Sequence, residues 1–339
     1  MQAIEEFLAQ FRALSDLDKL TVLSPNGAVD VRFGIVISLF FLDGETEAKR
    51  LAFVEVLRHY HTVFGAALTH YQKLRSSRLT RIAGTSFLDH YEESARQSLQ
   101  STEEDIEANS FTPHLYGFPD GEDRTEPTHY YIGGSCNPID PGLSPVSYLD
   151  AYIPASWAER VGWPALVELM SHWCGLLGPL HGTAGLGTLF DQGSSRTGSG
   201  LTAFPLIRRF VGLDYNDDIR WLSASGIRGP ADHRIIRTTN WLNVLDDGFV
   251  ARLGGPERLA EVLGADCPSR RWSGGVLIQA GPRPELGDLN RGLVPEHYRS
   301  VARVLRTLRF ENYGKRGYLQ VPFPLDARDE TLAWLRRFD

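Results

Sequence analysis

Cys174, His181 and Asp191 are the residues whose types could support thiol chemistry. A thiol attacks as the thiolate, which a histidine base oriented by a carboxylate can generate. The sequence places Cys174 in a helical segment beside Trp173 and Leu176, however, where a buried and unreactive cysteine is expected. A hydrolase or small-molecule-binding enzyme that uses Cys174 and His181 is therefore kept as the alternative function.

Other catalytic signatures are missing from the sequence. The serines of Gly134–Cys136 and Ser223–Gly226 lack the Gly-x-Ser-x-Gly frame of a nucleophile elbow, and no His-Glu-x-x-His motif occurs. The glycine-rich stretch Gly193–Gly200 lacks the Gly-Lys-Ser/Thr of a phosphate loop. His59 and His61 lie about 200° apart around a predicted helix, so they cannot chelate one metal ion. We therefore expect a protein that is not an enzyme, with no catalytic residue, no cofactor and no metal ligand.

The net charge of −7 is concentrated in one part of the chain. Between Ser101 and Glu126 eight acidic residues stand against one basic residue, Arg124, so this stretch alone equals the whole excess. The rest of the chain is balanced and offers no basic field, so direct binding of nucleic acid is not expected. An acidic surface would attract a basic partner. The alternative is a solvated loop that only aids solubility.

The elements that must position these residues follow from the apolar periodicity. Spacings of three and four predict helices, and runs of β-branched and aromatic residues between turns predict strands. The predicted helices are residues 3–20, Leu51–Gln72, Phe87–Leu99, Pro164–Leu177, Asp246–Leu253, Glu257–Leu263, a helix after Pro295 with Val301, Val304, Leu305 and Leu308, and Asp329–Phe338. The predicted strands are Val31–Leu42, Thr128–Ile132, Val146–Pro154, Val276–Ala280 and Tyr318–Pro322. The glycines of Gly178–Gly187 and Gly193–Gly200 are interpreted as loop and packing residues.

This order of elements predicts an α+β fold, with mostly antiparallel strands covered by helices. The alternative is an α/β fold, because helices do alternate with strands, but long loops separate some of the strands. The order of strand, loop, long helix and apolar segment occurs from Val31 to His70 and again from Val146 to Gly187, which suggests two similar halves. We expect one domain over residues 1–339, or alternatively two lobes at about 1–127 and 128–339.

The amino terminus and the cysteines bear on the compartment. The first residues are acidic where a signal peptide is basic, and no apolar run approaches the ~20 residues that span a bilayer. Cys136, Cys174 and Cys267 are far apart and give neither a disulfide framework nor a CxxC metal pair. We expect a cytoplasmic protein without a membrane partner.

The stretch from Trp272 to Arg309 has the most pronounced turn chemistry. Its strand Val276–Ala280 ends in a Gly-Pro-x-Pro turn, and the one polar residue of that strand, Gln279, should find its hydrogen bonds inside the fold. No nucleophile, base or metal ligand accompanies these turns, so we interpret them as scaffold.

Seven short stretches together carry a family resemblance. They are, in chain order, Pro179–Leu186, Arg209–Asp214, Asn240–Leu245, Leu253–Gly255, Gly274–Gly281, Gly287–Asn290 and Tyr298–Arg299. From about Pro154 to Arg309, and more loosely in the amino-terminal strand and long helix, the chain resembles type VI secretion immunity proteins of the TsiV-like group. Bacteria encode these proteins beside antibacterial effectors that include nucleases. Thr183 departs from an expected aromatic residue, and Val211 departs from an expected proline.

The resemblance implies a protein that binds and neutralises a cognate effector, a nuclease toxin, by occluding its active site or substrate surface, with no turnover of its own. A nuclease inhibitor gains if it presents acids where the enzyme expects phosphates, because the attraction acts over a Debye length and speeds encounter. The predicted partner-binding residues are Glu103, Glu104, Asp105, Glu107, Tyr116, Phe118, Asp120, Glu122 and Asp123.

The aromatic residues of this segment, Phe111, Tyr116 and Phe118, would supply apolar anchors for the partner. The alternative is that they only pack the segment locally. A second alternative for the whole chain is an adaptor that loads an effector for secretion.

Overall fold

The fold is built on one sheet of eleven strands. The computed structural model describes residues 5, 8, 10–74, 76, 78–97, 110–119, 124, 126–138, 144–191, 198–227 and 234–339. The strands are β1 (Thr21–Leu23), β2 (Val29–Phe41), β3 (His70–Gln72), β4 (Leu79–Arg81), β5 (His114–Gly117), β6 (Tyr130–Ser135), β7 (Ser147–Ile153), β8 (His181–Leu189), β9 (Leu242–Asp246), β10 (Ser269–Trp272) and β11 (Gly275–Gln279). Their order in the sheet is β10-β11-β9-β8-β2-β7-β6-β5-β3-β4, with β1 paired to the start of β2.

Every paired strand of this sheet runs antiparallel to its neighbour. The described α-helices are α1 (Glu47–Phe64), α2 (Ser86–Gln97), α3 (Ala155–Val161), α4 (Trp163–Leu177), α5 (Ser199–Arg209), α6 (Asp218–Ser225), α7 (Asp247–Arg252), α8 (Pro256–Leu263), α9 (Glu296–Leu305) and α10 (Ala327–Leu335). Short 3-10 helices cover Leu14–Lys19, Gly65–Ala67, Leu289–Arg291 and Arg306–Leu308. The predicted α+β fold with a mostly antiparallel sheet is confirmed.

β2 lies at the centre of the sheet and is buried on both faces. Its odd-numbered residues up to Phe41 form the first face, where the Phe41 ring lies 6.1 Å from that of Phe53 in α1. Its even-numbered residues up to Phe40 form the second face, where the Phe40 ring lies 4.8 Å from that of Trp221 in α6. A strand covered on both sides needs apolar residues at successive positions, which explains the almost continuous apolar run of this segment.

Helices complete a layer on each face. α4 packs beside α1 on the first face, with the rings of Tyr60 and Trp173 6.1 Å apart. On the second face the Tyr318 ring lies 5.2 Å from Tyr215 and 6.0 Å from Trp334 of α10. The sheet is therefore the middle layer of the molecule, and polar groups on its inner positions must find partners inside the protein.

The clearest correction concerns Gly178–Gly187, whose glycines were interpreted as loop and packing residues and for which no strand was predicted. Most of it is β8, which pairs with β2 and β9 in the middle of the sheet. A Cβ added at Gly182 would lie 2.5 Å from Ser38 O, and one at Gly187 would lie 2.4 Å from Val36 Cγ2. These glycines therefore permit a close approach to β2, which is a tertiary requirement that resembles a loop signal in the sequence.

Two predicted elements end early or do not form, because other hydrogen bonds replace them. The helix predicted to reach Gln72 stops at Phe64, because His70–Gln72 pairs as β3. The strand predicted at Tyr318–Pro322 does not form, since the backbone N–H groups of Tyr318 and Leu319 both donate to Thr331 Oγ1, at 2.9 and 3.0 Å.

The helix predicted over residues 3–20 lies partly outside the described residues. Its later part is the 3-10 helix Leu14–Lys19. This 3-10 helix begins separately because the Asp16 carboxylate accepts from the backbone N–H groups of Arg12 and Ala13, at 2.8 and 3.1 Å. The hydrogen bond from the Lys19 ammonium is the largest cause that lowers the pKa of Asp16 to about 2, and these two backbone hydrogen bonds add to it.

The capped helices follow the prediction closely. Asp246 begins α7 by accepting from Phe249 N at 2.8 Å, and Gly264 ends α8 with φ of 69°. Gln279 donates to Gly281 O at 2.9 Å, so its expected internal hydrogen bond is confirmed.

Candidate functional site

Only part of the predicted partner-binding surface falls within the described residues. Its acidic members, Glu103, Glu104, Asp105, Glu107, Asp120, Glu122 and Asp123, lie outside them. Tyr116 and Phe118 are 5% and 6% exposed, and their rings stack 5.2 Å apart. They pack on the second face with Val36, Tyr131, Tyr152 and Leu189. In this arrangement the two rings support β5, and direct contact of these residues with a partner stays a prediction.

The first acidic group, Glu103, Glu104, Asp105 and Glu107, precedes β5 in the chain. Before it, α2 is held by Tyr91, whose buried hydroxyl donates to Gln72 O at 2.7 Å. After it, Phe111 and Cys136 exchange backbone hydrogen bonds of 3.2 and 2.9 Å. The described residues on either side of this group are therefore held in the fold.

The second acidic group, residues 120–123, follows β5. Before it, Phe118 N donates to Thr69 Oγ1 at 3.0 Å, and after it Glu126 accepts from Val29 N at 2.9 Å. The described residues nearest the two groups on the β5 side, Ser110 and Pro119, are nine positions apart, which is at most about 30 Å for an extended chain.

Acidic character continues onto the described surface of α1 and α2. Exposed or half-buried acids of this helix pair outnumber the basic side chains that are not fully buried, Lys49, Arg58 and Arg96. Arg58 reaches Glu92 at 3.2 Å, and Arg96 reaches the same carboxylate at 2.8 Å. Five acids against these three basic side chains leave two negative charges, and the acids are Glu47, Glu55, Asp89, Glu92 and Glu93. This surface leads directly into the first acidic group.

A buried charged cluster on the second face is centred on Arg237, which is 1% exposed. Its guanidinium donates to Asp214 Oδ1 at 3.1 Å and Oδ2 at 2.6 Å, and its Nε lies 3.4 Å from Asp218 Oδ1. It also donates to Tyr215 O at 2.8 Å and to Tyr318 Oη at 3.1 Å. Burial alone would lower the pKa of Arg237, but the two carboxylates outweigh burial and raise it well above its ordinary value. The cluster is one buried guanidinium held between two buried carboxylates.

Polar side chains extend this cluster across three strands. Ser38 Oγ lies 3.2 Å from Asp150 Oδ1 and 3.0 Å from Asn216 Oδ1, and Asn216 Nδ2 donates to Tyr152 Oη at 3.1 Å. Thr183 Oγ1 accepts from Arg237 at 3.3 Å. Ser38 and Asp150 are each 1% exposed, so no substrate reaches this hydroxyl–carboxylate pair. The arrangement aligns β2, β7 and β8 and presents no reacting group.

The residues of the thiol alternative do not assemble. Cys174 belongs to α4 on the first face, whereas the His181 ring belongs to the second face, stacked 4.6 Å from Phe40. β8 and β2 lie between them. Burial raises the pKa of the Cys174 thiol, which keeps it protonated and unreactive. Asp191 follows β8 and does not change this separation.

The histidines of α1 have other partners. His59 accepts from Trp173 Nε1 at 3.0 Å and its ring lies 4.4 Å from that of His172, while the His61 ring lies 5.2 Å from that of Phe87.

Within the described ranges no group of three or more His, Cys, Asp or Glu side chains is placed to hold a metal ion. Among the described helices, none combines the length and the apolar character needed to cross a bilayer.

Comparison with known proteins decides the family. A family model named TsiV and described as type VI immunity for VRR-NUC matches residues 52–338. The chain belongs to the TsiV family. A solved structure, Pseudomonas aeruginosa T6SS protein PA0821, superposes with a TM-score of 0.75 at 18% identity, covering 99% of this chain and 91% of that chain. This likeness shows that the two share a fold. No curated protein sequence matches.

In this TsiV protein the stretches that carried the resemblance meet inside the fold. Arg209 Nε and Nη2 each lie 3.0 Å from one carboxylate oxygen of Asp288. Burial opposes ionisation of Asp288, but hydrogen bonds and charge from Arg209 outweigh it and lower the pKa of that carboxyl. Asn243 donates to Asn240 O at 2.7 Å, and a Cβ on Gly185 would lie 2.1 Å from Asn240 Oδ1. The TsiV stretches therefore specify an internal framework.

The two departures from the TsiV pattern fit this framework. Thr183 joins the Arg237 cluster through its hydroxyl, which accepts from Arg237. Val211 is 1% exposed, and its carbonyl accepts from Arg337 Nε at 2.8 Å. A Cβ added at Gly287 would lie 2.8 Å from Val211 Cγ2, so the side chain fills the space beside that turn.

Proposed function

We propose that this TsiV protein binds a VRR-NUC nuclease effector and inhibits it by occluding its active site or the surface that receives nucleic acid. It acts by binding, without turnover of its own. The observation that carries the proposal is the match of the type VI immunity model to residues 52–338. Since the nucleic acid to be protected lies in the cytoplasm, the protein works there.

Electrostatic attraction raises the association rate of the proposed complex. A nuclease must attract phosphates, so its substrate surface is basic and attracts any acidic surface of suitable shape. The acidic groups at both ends of β5, extended by the negative surface of α1 and α2, are the part of this chain that matches such a partner. The attraction steers encounter over about a Debye length, ~10 Å at 0.1 M salt.

The fold contributes preorganisation. Phe111 and Phe118, which lie between the two acidic groups in the chain, are hydrogen-bonded into the fold, and the sheet is held by the Arg237 cluster on one face and by α1 and α4 on the other. Fixed neighbouring residues reduce the conformational entropy that such segments lose on binding. Tyr116 and Phe118 serve this role by fixing β5 between the two groups.

The decisive experiment pairs this protein with the VRR-NUC effector encoded beside it. Co-expression should restore growth of cells that the effector kills, and a nuclease-inactive effector should form a complex measurable by surface plasmon resonance. If neither rescue nor a complex is seen, the proposal fails. If deletion of the gene blocks delivery of the effector but causes no self-killing, the chain is a loading adaptor.

Charge reversal locates the interface. Changing Asp120, Glu122 and Asp123 to lysine should lower the association rate by roughly tenfold or more at low salt and make it less dependent on salt. A matched control changes three exposed acids in and just after α8, Glu257, Glu261 and Asp266, to lysine. Equal association rates for the two variants would place the interface elsewhere.

The first acidic group is reversed separately. A variant with Glu103, Glu104, Asp105 and Glu107 changed to lysine should slow association as well, because the predicted surface includes both ends of β5. If only one of the two groups matters, the interface covers only that end of the strand.

A further inference from the structure

The turns that follow β11 line a pocket that the proposed effector surface leaves unused. Residues 283–288 and 291–295 contribute most of the lining, beginning with the second half of the Gly-Pro-Arg-Pro turn. A second lining segment consists of Leu8 and residues 11–14, and Phe210 completes the set. We call this site the turn pocket. The pronounced turn chemistry of the sequence therefore has a cavity beside it.

Hydrogen bonds fix both segments of the turn pocket. Asp288 and Leu293 exchange backbone hydrogen bonds of 2.7 and 2.9 Å, which closes the turn between them. In the second segment the backbone N–H of Leu14 donates to Glu159 Oε1 at 2.8 Å. Pockets for small molecules are usually formed before the ligand binds. The turn pocket meets this condition, because contacts inside the protein hold its walls.

The turn pocket has the size and the apolar lining of a small-molecule site. Its volume is about 440 Å³, and such sites have volumes of roughly 300–1,000 Å³. A cavity of about 150 Å³ holds one benzene molecule, so there is room for two linked rings or a chain of similar volume. The apolar lining residues include Phe11, Leu14, Phe210, Leu286, Leu293 and Val294. Leu293 is 57% exposed, so an apolar ligand body would remove it from water.

The charged side chains of the described lining have one positive charge in excess. Arg12, Arg283 and Arg291 stand against Glu285 and Asp288. A ligand with one negative charge balances this excess, whereas a cation increases it. The lining therefore favours a monoanion.

The two carboxylates of the lining already have partners inside the protein. Asp288 is 4% exposed, and its two oxygens each lie 3.0 Å from a guanidinium nitrogen of Arg209. The Glu285 carboxylate lies 3.5 Å from His297 Nδ1. An incoming anion therefore does not have to displace a carboxylate from an arginine that it alone neutralises.

Arg283 is placed to receive the negative charge. It is exposed, it lines the pocket, and it forms no ion pair with a carboxylate of the described residues. Pro282 and Pro284 restrict the backbone on both sides, and Gly281 has φ of 82°, so the turn has a defined shape. A guanidinium presents a planar fork of donors that matches a carboxylate. An organic acid is therefore the monoanion that fits.

We propose that the turn pocket binds an organic acid with one carboxylate, held by Arg283, and an apolar body that packs on the apolar lining. The site is separate from the surface proposed for the effector. No described residue between 98 and 126 lines it, and five strands separate β11 from β5 in the sheet. A basic nuclease surface would be repelled by the positive excess of the lining.

Three probes with one apolar body and different charges test the proposal. They are biphenylcarboxylate, biphenylmethanol and biphenylmethylamine, titrated into the full chain and followed by isothermal titration calorimetry. The acid should bind as one molecule per chain and at least about tenfold more tightly than the neutral alcohol, because a hydrogen bond to a charged group is the stronger one. The ammonium probe should bind most weakly.

Two variants separate the polar part of the site from the apolar part. Arg283→Gln should lower the affinity for the acid by about tenfold and leave that for the alcohol unchanged, which general damage to the pocket would not do. Leu293→Ser should weaken the acid and the alcohol alike, by roughly threefold or more. The matched controls are Arg258→Gln and Val262→Ser, at exposed positions of α8 that do not line the pocket, and they should change neither affinity.

Three results of these titrations would overturn the proposal. They are no binding of the acid up to about 1 mM, equal affinities for the acid and the alcohol, and an Arg283→Gln chain that keeps its preference for the acid. All three are measured on the chain alone, so they do not depend on whether the effector binds.

A carboxylate can also belong to a polypeptide, and the effector complex distinguishes this source. The acid should bind the complex with a nuclease-inactive effector as tightly as it binds the free chain. If the effector excludes the acid and Arg283→Gln weakens the effector complex, the carboxylate is part of the effector, and the proposal of a small organic acid is wrong.

Discussion

Replacing Asp214 by asparagine tests whether the Arg237 cluster is the internal framework described above. The substitution keeps the shape of the side chain but removes the charge that faces Arg237 at 2.6 and 3.1 Å. Arg237 then has only Asp218, whose nearest oxygen is 3.4 Å from Nε, to balance a cation that is 1% exposed. Removing one partner of a buried ion pair costs about 3–5 kcal/mol, because the other charge stays buried.

That cost is large against the stability of a protein. Folded domains are stable by about 5–15 kcal/mol in total, so the Asp214→Asn variant should lose roughly a fifth or more. An unfolding entropy of about 2.1 cal/mol/K for each residue gives roughly 0.7 kcal/mol/K for a chain of 339 residues. The melting temperature should therefore fall by about 4–7 °C.

Urea unfolding followed by circular dichroism measures the free energy directly. The matched control is Asp247→Asn, because Asp247 pairs with Arg271 at 2.7 Å while both side chains are more than half exposed. Such a surface pair is worth at most about 1 kcal/mol. Equal losses in the two variants would refute the view that Arg237 depends on a compensating buried charge. At temperatures where it is folded, Asp214→Asn should bind the effector with unchanged affinity.

Three further predictions concern packing, pH and thiols. Gly182→Ala should destabilise the protein by about 1–3 kcal/mol in urea unfolding, because the new Cβ would lie 2.5 Å from Ser38 O. Asp288→Asn should lower the urea midpoint at pH 7. The pKa of Asp288 is lowered in the fold, so its contribution is present above the unfolded pKa and is lost as pH falls through the folded value; wild type and variant should converge in acid. Cys136, Cys174 and Cys267 are buried and should react with a thiol reagent only after unfolding, and Cys174→Ala should keep full protection against the effector.

Each of these has a control or a contradicting outcome. Gly175→Ala, where an added Cβ meets nothing within 4 Å, should be neutral or stabilising by up to about 1 kcal/mol. A Gly182→Ala protein as stable as Gly175→Ala would show that β8 does not need the close approach. A difference between Asp288→Asn and wild type that persists in acid would show that the charge is not what matters. Loss of protection in Cys174→Ala would revive the thiol alternative.

The sequence predicted well those elements whose signals are local. The apolar run of β2, the capped helices α7 and α8 and the strand at β11 are bounded by residues that act within a few positions, such as Asp246 and Gly264. Charge is also local information, and the acidic stretch from Ser101 to Glu126 is visible without a structure.

Long-range contacts account for the failures. β8 was not predicted as a strand, because its glycines, interpreted as loop and packing residues, serve neighbours that are distant in the chain, namely Ser38 and Val36 of β2. The strand expected at Tyr318 is replaced by hydrogen bonds to Thr331, which no pattern of alternation reveals. The Arg237 cluster was missed, although one signal was present, a single charged residue between Ile236 and Thr238 in an otherwise uncharged run.

The sequence by itself therefore determined the α+β class, the acidic excess, the missing catalytic motifs and the resemblance to TsiV, because composition and short motifs carry these. Tertiary structure alone decided that Cys174 and His181 stand on opposite faces of the sheet and that Tyr116 is buried. Whether a side chain faces a neighbour or solvent depends on which distant strands and helices pack beside it, and that information appears only when the chain is folded.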